Sequence, residues 1–254
     1  MNRIKVGHFG FGRTGRIVAG EFMRDERFDV RWVARRSEDD CGCYASELLG
    51  LPGLQGRICQ AERMDEAFHQ ENPVDVIVDF SDTEGVRSYL DAVRKGVAVV
   101  SAVSRYESED LRLLKSLAAY SPVLYSPNIT LGINVLMVAS AMLQKLMPHA
   151  DIAIVEEHFR NKPETSGTAL KIAESLGLDP EAVCSVRAGG IVGHHEIIFG
   201  MPNQTIRLVH DSISRAAFGQ GAIFAANYLA GREAGLYTMD AVVAELFRQS
   251  LAVS

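Results

Sequence analysis

Apolar and polar positions divide this chain into two styles. Over residues 1–128, short apolar runs at 4–9, 30–34, 76–80, 97–100 and 123–125 alternate with amphipathic stretches at 15–23 and 83–95. In the second stretch Val86, Leu90 and Val93 recur at helical spacing while Glu84 and Asp91 point away. This alternation predicts βαβ units around a doubly wound parallel sheet. Each run ends near Gly, Ser, Asp or Pro, the end where such sheets carry ligand loops.

The pattern then changes. Residues 132–147 read as a helix stopped by Pro148, 152–156 as a strand, and 167–176 as a helix ended by Gly177, which accepts a left-handed backbone. The apolar runs 183–187, 191–199 and 205–210 follow one another too closely to hold crossover helices. Their connections are expected to be antiparallel or irregular. Residues 218–229 and 239–251 are helical again.

Composition narrows the function. A chain of 254 residues fits one large or two modest domains, and 47% apolar with 23% charged residues is globular composition. A net charge of −6 with no basic stripe argues against nucleic acid as a partner. Charges interrupt every apolar run short of a membrane span, and the N-terminus has no secretory pattern, so a soluble cytoplasmic protein starting at residue 1 is expected. Cys41, Cys43, Cys59 and Cys184 are too irregularly spaced for a disulfide framework or a four-thiolate zinc site. No metal is implied.

Two clusters carry candidate chemistry. The first strand runs into Gly10-Phe11-Gly12-Arg13-Thr14-Gly15-Arg16, where a helix begins. In such a turn the first glycine bends the chain, the second admits phosphate, and the third packs helix on strand. The free N–H groups of the helix start then face a pyrophosphate. The alternative is a structural glycine turn. At the tip of the second strand, where a protein selective for NAD offers an acid, stand Arg35 and Arg36. Two guanidiniums favour the extra phosphate of NADPH, with NADH possible. Alternatively they form a solvated loop edge, and Asp39 and Asp40 follow closely.

The second cluster spans residues 155–169, in which a strand delivers His158 to a cationic loop carrying Lys162, and Ser166-Gly167-Thr168 opens a helix. Ser166 is a candidate N-cap, and the Gly167 and Thr168 amides with the Thr168 hydroxyl suit a carboxylate. The plain readings are a structural histidine and a simple helix cap. His194 and His195 must point to opposite faces of a strand. No hydrolase elbow, zinc-protease motif or Walker loop is present.

The order of motifs resembles the dihydrodipicolinate reductase family. The resemblance rests on the glycine turn, Val78-Asp79-Phe80-Ser81 with Glu84-Gly85, residues 126–135, Glu157-His158 with Lys162, Ser166-Gly167-Thr168-Ala169, residues 187–195 and residues 214–222. It implies a dinucleotide-binding domain of residues 1–128 and 217–254, and an α+β domain with a mixed open sheet at 129–216 that binds substrate and builds a homotetramer. It implies that His158 and Lys162 are the acid/base pair and that Ser166, Gly167 and Thr168 hold a substrate carboxylate. Ser101, Ala102, Val103, Ser126, Pro127, Asn128 and Ile129 would surround the nicotinamide, with Arg35 at the adenine-ribose phosphate.

The chain departs from the family pattern at four places. Ser101-Ala102-Val103-Ser104 replaces Gly-Thr-Thr-Gly, Phe159 replaces a second histidine, the Lys162–Ser166 loop is one residue short, and Phe9 replaces a glycine. The expected reaction is hydride transfer from NADPH to a cyclic imino dicarboxylate, giving tetrahydrodipicolinate in lysine and diaminopimelate biosynthesis. Two alternatives stand beside it. One is reduction of a related cyclic imine carboxylate, since Val103 and Phe159 make that pocket more apolar and Phe159 stands on the substrate side. The other is a non-catalytic NADPH-binding sensor.

Overall fold

The computed structural model describes residues 3–252. The first half contains β1 (Ile4–Phe9), α1 (Arg13–Arg24), β2 (Phe28–Arg35), α2 (Ala45–Leu48), β3 (Arg57–Gln60), α3 (Glu66–Glu71), β4 (Val76–Asp79), α4 (Leu90–Arg94), β5 (Ala98–Ser101), α5 (Ser108–Ser116) and β6 (Pro122–Tyr125). There follow α6 (Leu131–Leu146), β7 (Asp151–His158), α7 (Gly167–Ser175), β8 (Val183–Arg187), β9 (His194–Met201), β10 (Gln204–Asp211), α8 (Ala216–Leu229), β11 (Gly235–Tyr237) and α9 (Met239–Ala252).

Seven strands form a wholly parallel sheet in the order β11-β6-β5-β4-β1-β2-β3. The order reverses between β1 and β4, so the two strands part company beyond their C-terminal ends and leave the crevice where such sheets bind ligands. Strands buried on both faces read as continuous apolar runs, which is why β1, β4 and β5 were legible. The short β3 and β11 lack such runs. The expected helix over 83–95 is a 3₁₀ segment, Thr83–Tyr89, leading into α4. Trp32, Phe9 and Tyr89 pack edge to face at the centre of this core.

The second sheet has four strands in the order β10-β9-β7-β8. β7 pairs parallel with β8 and antiparallel with β9, and β9 with β10 antiparallel. The α7 crossover supplies the parallel pairing, and the tight β9–β10 link the antiparallel one. Ile154 of β7 and Ile197 and Phe199 of β9 pack with Ile133 and Met137 of α6 and Ile172 of α7. The other face of the sheet presents Val155, Val186, Glu196, Arg207 and Val209, of which Val186, Arg207 and Val209 are exposed.

The described residues fall into two compact units, one reaching Thr130 and including Phe218–Met239, the other comprising Leu131–Ala217 and the residues from Asp240 onward. The sequence reading instead placed the last helix with the dinucleotide-binding part. Apolar spacing in a terminal helix shows that one face is buried, but not which body buries it.

Candidate active site

In the first unit the chain leaves β1 through Gly10, whose φ of +95° is left-handed. A Cβ there would stand 2.5 Å from the Phe80 carbonyl oxygen, and one on Gly15 only 2.0 Å from the Gly10 oxygen. Both glycines are required by the fold. At Gly12, the N-cap of α1, a Cβ would meet no protein atom within 4 Å. The space over Gly12 is therefore open, next to a helix start with no side-chain cap and no acid in its first turn. That arrangement fits a pyrophosphate.

A cavity of about 730 Å³ extends from this turn, lined by Gly10, Phe11, Gly12, Arg35 and Arg36, with Ser37, Phe80, Ser81, Asp82, Glu84 and Gly85 among its other walls. A second cavity of about 270 Å³ is lined by Thr14, Ala102, Val103, Ser104, Pro127 and Ile129. Both include Phe80 and Ser81, so the two cavities adjoin and form the two ends of a candidate cofactor groove. The remaining expected contacts line neither cavity. Gly15 is buried beneath the turn and Arg13 is exposed. Ser101 is buried and bonded to Tyr106 at 2.9 Å, and the Ser126 hydroxyl donates to the Asn128 carbonyl at 2.8 Å. These two serines shape the loops from behind.

The two arginines are not free cations. Arg35 pairs with Asp40 at 2.5 Å and Asp39 at 3.8 Å, and Arg36 pairs with Asp82. Asp82 arrives from another βα loop, out of reach of any local pattern around Arg36. Behind that loop lies Asp79, fully buried, accepting from the Ser81 amide at 2.9 Å and from the hydroxyls of Ser81 at 2.6 Å, Tyr89 at 2.8 Å and Tyr106 at 3.3 Å. Burial raises its pKa against the pull of these donors. The network holds the Phe80–Gly85 wall of the groove.

In the second unit strand alternation assembles the site. Glu156 and His158 lie two apart on β7, Glu156 opposite His195 of β9 and Ser185 of β8, and His158 opposite Arg187. All five therefore share the face that is apolar further along the strands. Glu156 is fully buried. Burial would raise its pKa, but hydrogen bonds from Arg187, Ser185, His158 and the Ser166 amide outweigh that and bring it down to about 2. It is an anion at neutral pH.

Ser166 precedes α7 as its N-cap, yet its hydroxyl does not cap. It lies 2.9 Å from His195 Nε2 instead. This corrects the capping role expected from sequence; a buried histidine on a neighbouring strand competes for the hydroxyl. Burial foremost, then repulsion from His158 and His210, lowers the His195 pKa to about 4. Gly167 is exposed, Thr168 and Lys162 half-buried, and Phe159 is exposed at the start of the loop. Among the described residues, the Lys162 ammonium has no acidic partner. Sequence reasoning missed Glu156, Ser185, Arg187 and His195, although Glu156 was detectable as the residue two before His158 on a strand.

A doubly wound parallel sheet with a glycine turn at its switch point, in a chain whose second unit gathers a histidine, a lysine loop and a bare helix start, defines a nicotinamide-dinucleotide-dependent oxidoreductase. Family models locate it further. Residues 4–129 match the N-terminal model of dihydrodipicolinate reductase and residues 132–243 the C-terminal one, and the chain belongs to this family. The 4-hydroxy-tetrahydrodipicolinate reductase of Archaeoglobus fulgidus is 34% identical over 254 residues, covering 90% of this chain and 95% of its own. That of Thiobacillus denitrificans is 33% identical over 262 residues, covering 89% and 97%. A dipicolinate-bound dihydrodipicolinate reductase from Paenisporosarcina sp. TG-14 shares the fold with a TM-score of 0.76 at 21% identity, over 93% of this chain and 98% of that one.

Proposed function

We propose that this chain reduces 4-hydroxy-tetrahydrodipicolinate to tetrahydrodipicolinate with a reduced nicotinamide dinucleotide, in lysine and diaminopimelate biosynthesis. Family membership makes it an oxidoreductase and sets aside the non-catalytic sensor. The observation that carries the substrate side is the gathering of His158, the Lys162 loop and the Ser166 helix start around the pair of buried Glu156 and half-buried Arg187. The bound cofactor supplies hydride.

The rest is the work of this chain's residues. The turn over Gly12 holds the pyrophosphate, and the wall of Thr14, Ala102, Val103, Pro127 and Ile129 excludes water from the nicotinamide end. Lys162 and the Ser166–Thr168 helix start bind a ring carboxylate and orient the ring. Charge that develops beside the reduced carbon is met by the Lys162 ammonium, and the proton comes from Lys162 Nζ or His158 Nε2.

NADPH is the preferred cofactor and NADH a usable one. A 2′-phosphate gains a guanidinium only by replacing an aspartate on Arg35 or Arg36, so the preference is modest. The dinucleotide-binding domain corresponds to the residues up to Thr130 with Phe218–Met239. The second-unit sheet face bearing Val155, Val186 and Val209 builds a homotetramer in the cytoplasm. The test is cofactor oxidation followed by absorbance. Substrate-dependent oxidation of NADPH with the cyclic dicarboxylate supports the proposal, and faster turnover of a monocarboxylate imine would replace the substrate with the one that Val103 and Phe159 favour.

A further inference from the structure

Five donors converge on the carboxylate of Glu156. Arg187 straddles it, Nη2 to Oε1 at 2.6 Å and Nη1 to Oε2 at 2.9 Å. Oε1 also accepts the Ser185 hydroxyl at 2.6 Å and the Ser166 amide at 3.1 Å, while Oε2 lies 2.5 Å from His158 Nδ1. Arg187 reaches further, giving Nε to the Lys162 carbonyl at 3.2 Å and Nη2 to the Glu164 carbonyl at 2.9 Å. One ion pair thus touches the histidine, the backbone that carries the lysine, and the residue that opens α7.

Stability alone does not call for this pair. Removing a carboxylate and a guanidinium from water costs several kcal/mol each, and well-packed apolar side chains of similar volume serve a core equally well. The pair sits where three functional segments meet, with Glu156 bonded to His158 and the Ser166 amide and Arg187 to the Lys162 carbonyl.

We infer that Glu156 is a positioning residue for the reaction: it keeps the His158 proton on Nδ1, so that Nε2 is the nitrogen that exchanges a proton with substrate, and it ties that ring to the carboxylate-binding start of α7. The inference rests on the acid/base role proposed above for His158. A carboxylate can only accept, which places the imidazole proton on Nδ1. Nε2 lies beside Gly193, where a Cβ would come within 3.2 Å of it, so the glycine keeps this nitrogen uncrowded. Among the described residues Glu156 alone hydrogen-bonds both the ring and the helix start; His195 bonds the Ser166 hydroxyl but meets the His158 ring only edge to face.

The test combines a spectroscopic measurement with a double-mutant cycle. In the wild-type chain, ¹⁵N shifts of the His158 ring are expected to report a protonated Nδ1, and a ring protonated only at Nε2 would overturn the inference. This measurement does not depend on any variant folding. Glu156→Gln is expected to lower kcat by about 100-fold, within the range of a general acid or base held out of place. It should also raise KM for 4-hydroxy-tetrahydrodipicolinate, with NADPH affinity unchanged, and Glu156→Asp should restore part of kcat. Because Glu156 acts through His158, Glu156→Gln with His158→Ala should be no slower than His158→Ala alone. Independent, multiplicative losses would mean a structural role and defeat the inference. Wild-type turnover in His158→Ala would instead remove the acid/base reading beneath it, an outcome distinct from failure of the cycle.

Discussion

The two candidate sites are built from different materials. In the first unit the groove is made by backbone, with Gly10 bent into the left-handed region, Gly15 packed against the turn and Gly12 open to a ligand. The residues of this turn are adjacent in sequence, while the other walls come from further βα loops. In the second unit the site is made by side chains from β7, β8, β9 and the start of α7, drawn together by sheet register around Glu156. Backbone recognises a cofactor shape common to many enzymes. In the proposed reading, buried charges and imidazoles recognise one substrate, and they must be assembled from distant positions.

If that contrast is right, side-chain deletions on the substrate side should separate chemistry from cofactor binding most sharply. Lys162→Ala and His158→Ala should each lower turnover by about 10²- to 10⁴-fold, the usual worth of a positioned acid or base. NADPH affinity, read by fluorescence titration, should stay the same; a parallel loss would show that the two sites are not separate in function.

The glycines test the backbone side. Gly15→Ala places a methyl on the Gly10 carbonyl and should lower both melting temperature and cofactor affinity. Gly12→Ala meets no protein atom, so it should leave the melting temperature alone while weakening NADPH binding by about tenfold, the worth of one good phosphate contact. Equal melting losses in both variants would contradict the assignment of Gly12 to the ligand.

Acid brings the two units onto common ground, because each buries a histidine. His8 lies beneath the glycine turn with neither ring nitrogen hydrogen-bonded, and burial lowers its pKa to about 4, against a smaller opposing effect of the Gly10 and Gly15 backbone. His195 is lowered to about 4 as well. Both folded values lie below the ordinary 6.5, so the unfolded chain takes up protons first as pH falls. Stability present above pH 6.5 should therefore be lost towards pH 4, by about 3 kcal/mol for each histidine. Glu156, lowered from 4.5 to about 2, adds a further loss between those values. Urea denaturation from pH 7 to 4 measures the histidine contribution; His195→Gln or His8→Gln should flatten the slope, and an unchanged slope in both would refute the cause. Arg35→Ala should have the smallest effect, reducing the NADPH-to-NADH preference by a few-fold, as fits a half-buried charge already shared with aspartates.

Much of this organisation was legible in the chain, and the illegible parts share a physical reason. The glycine turn was visible because its function depends on consecutive residues and on the absence of side chains. Lys162 and Ser166–Thr168 were visible for the same reason, lying within one loop and helix start. Glu156 was not singled out, since an acid on a strand looks like a solvent-facing residue until the neighbouring strands supply Arg187 and Ser185. The pairing of Arg36 with Asp82 was equally hidden, because 46 positions separate them.

By itself, then, the sequence determined most of the apolar strands and longer helices, that the first sheet is parallel, and which local turn is built like a dinucleotide turn. These follow from side-chain periodicity and backbone sterics, which act over a few residues. Tertiary structure decided which polar groups are buried together, that Ser166 turns to His195 instead of capping its helix, that both arginines are shared with aspartates, and that the final helix groups with the second unit. Such outcomes depend on desolvation and on the register between strands, and neither exists until the chain has folded.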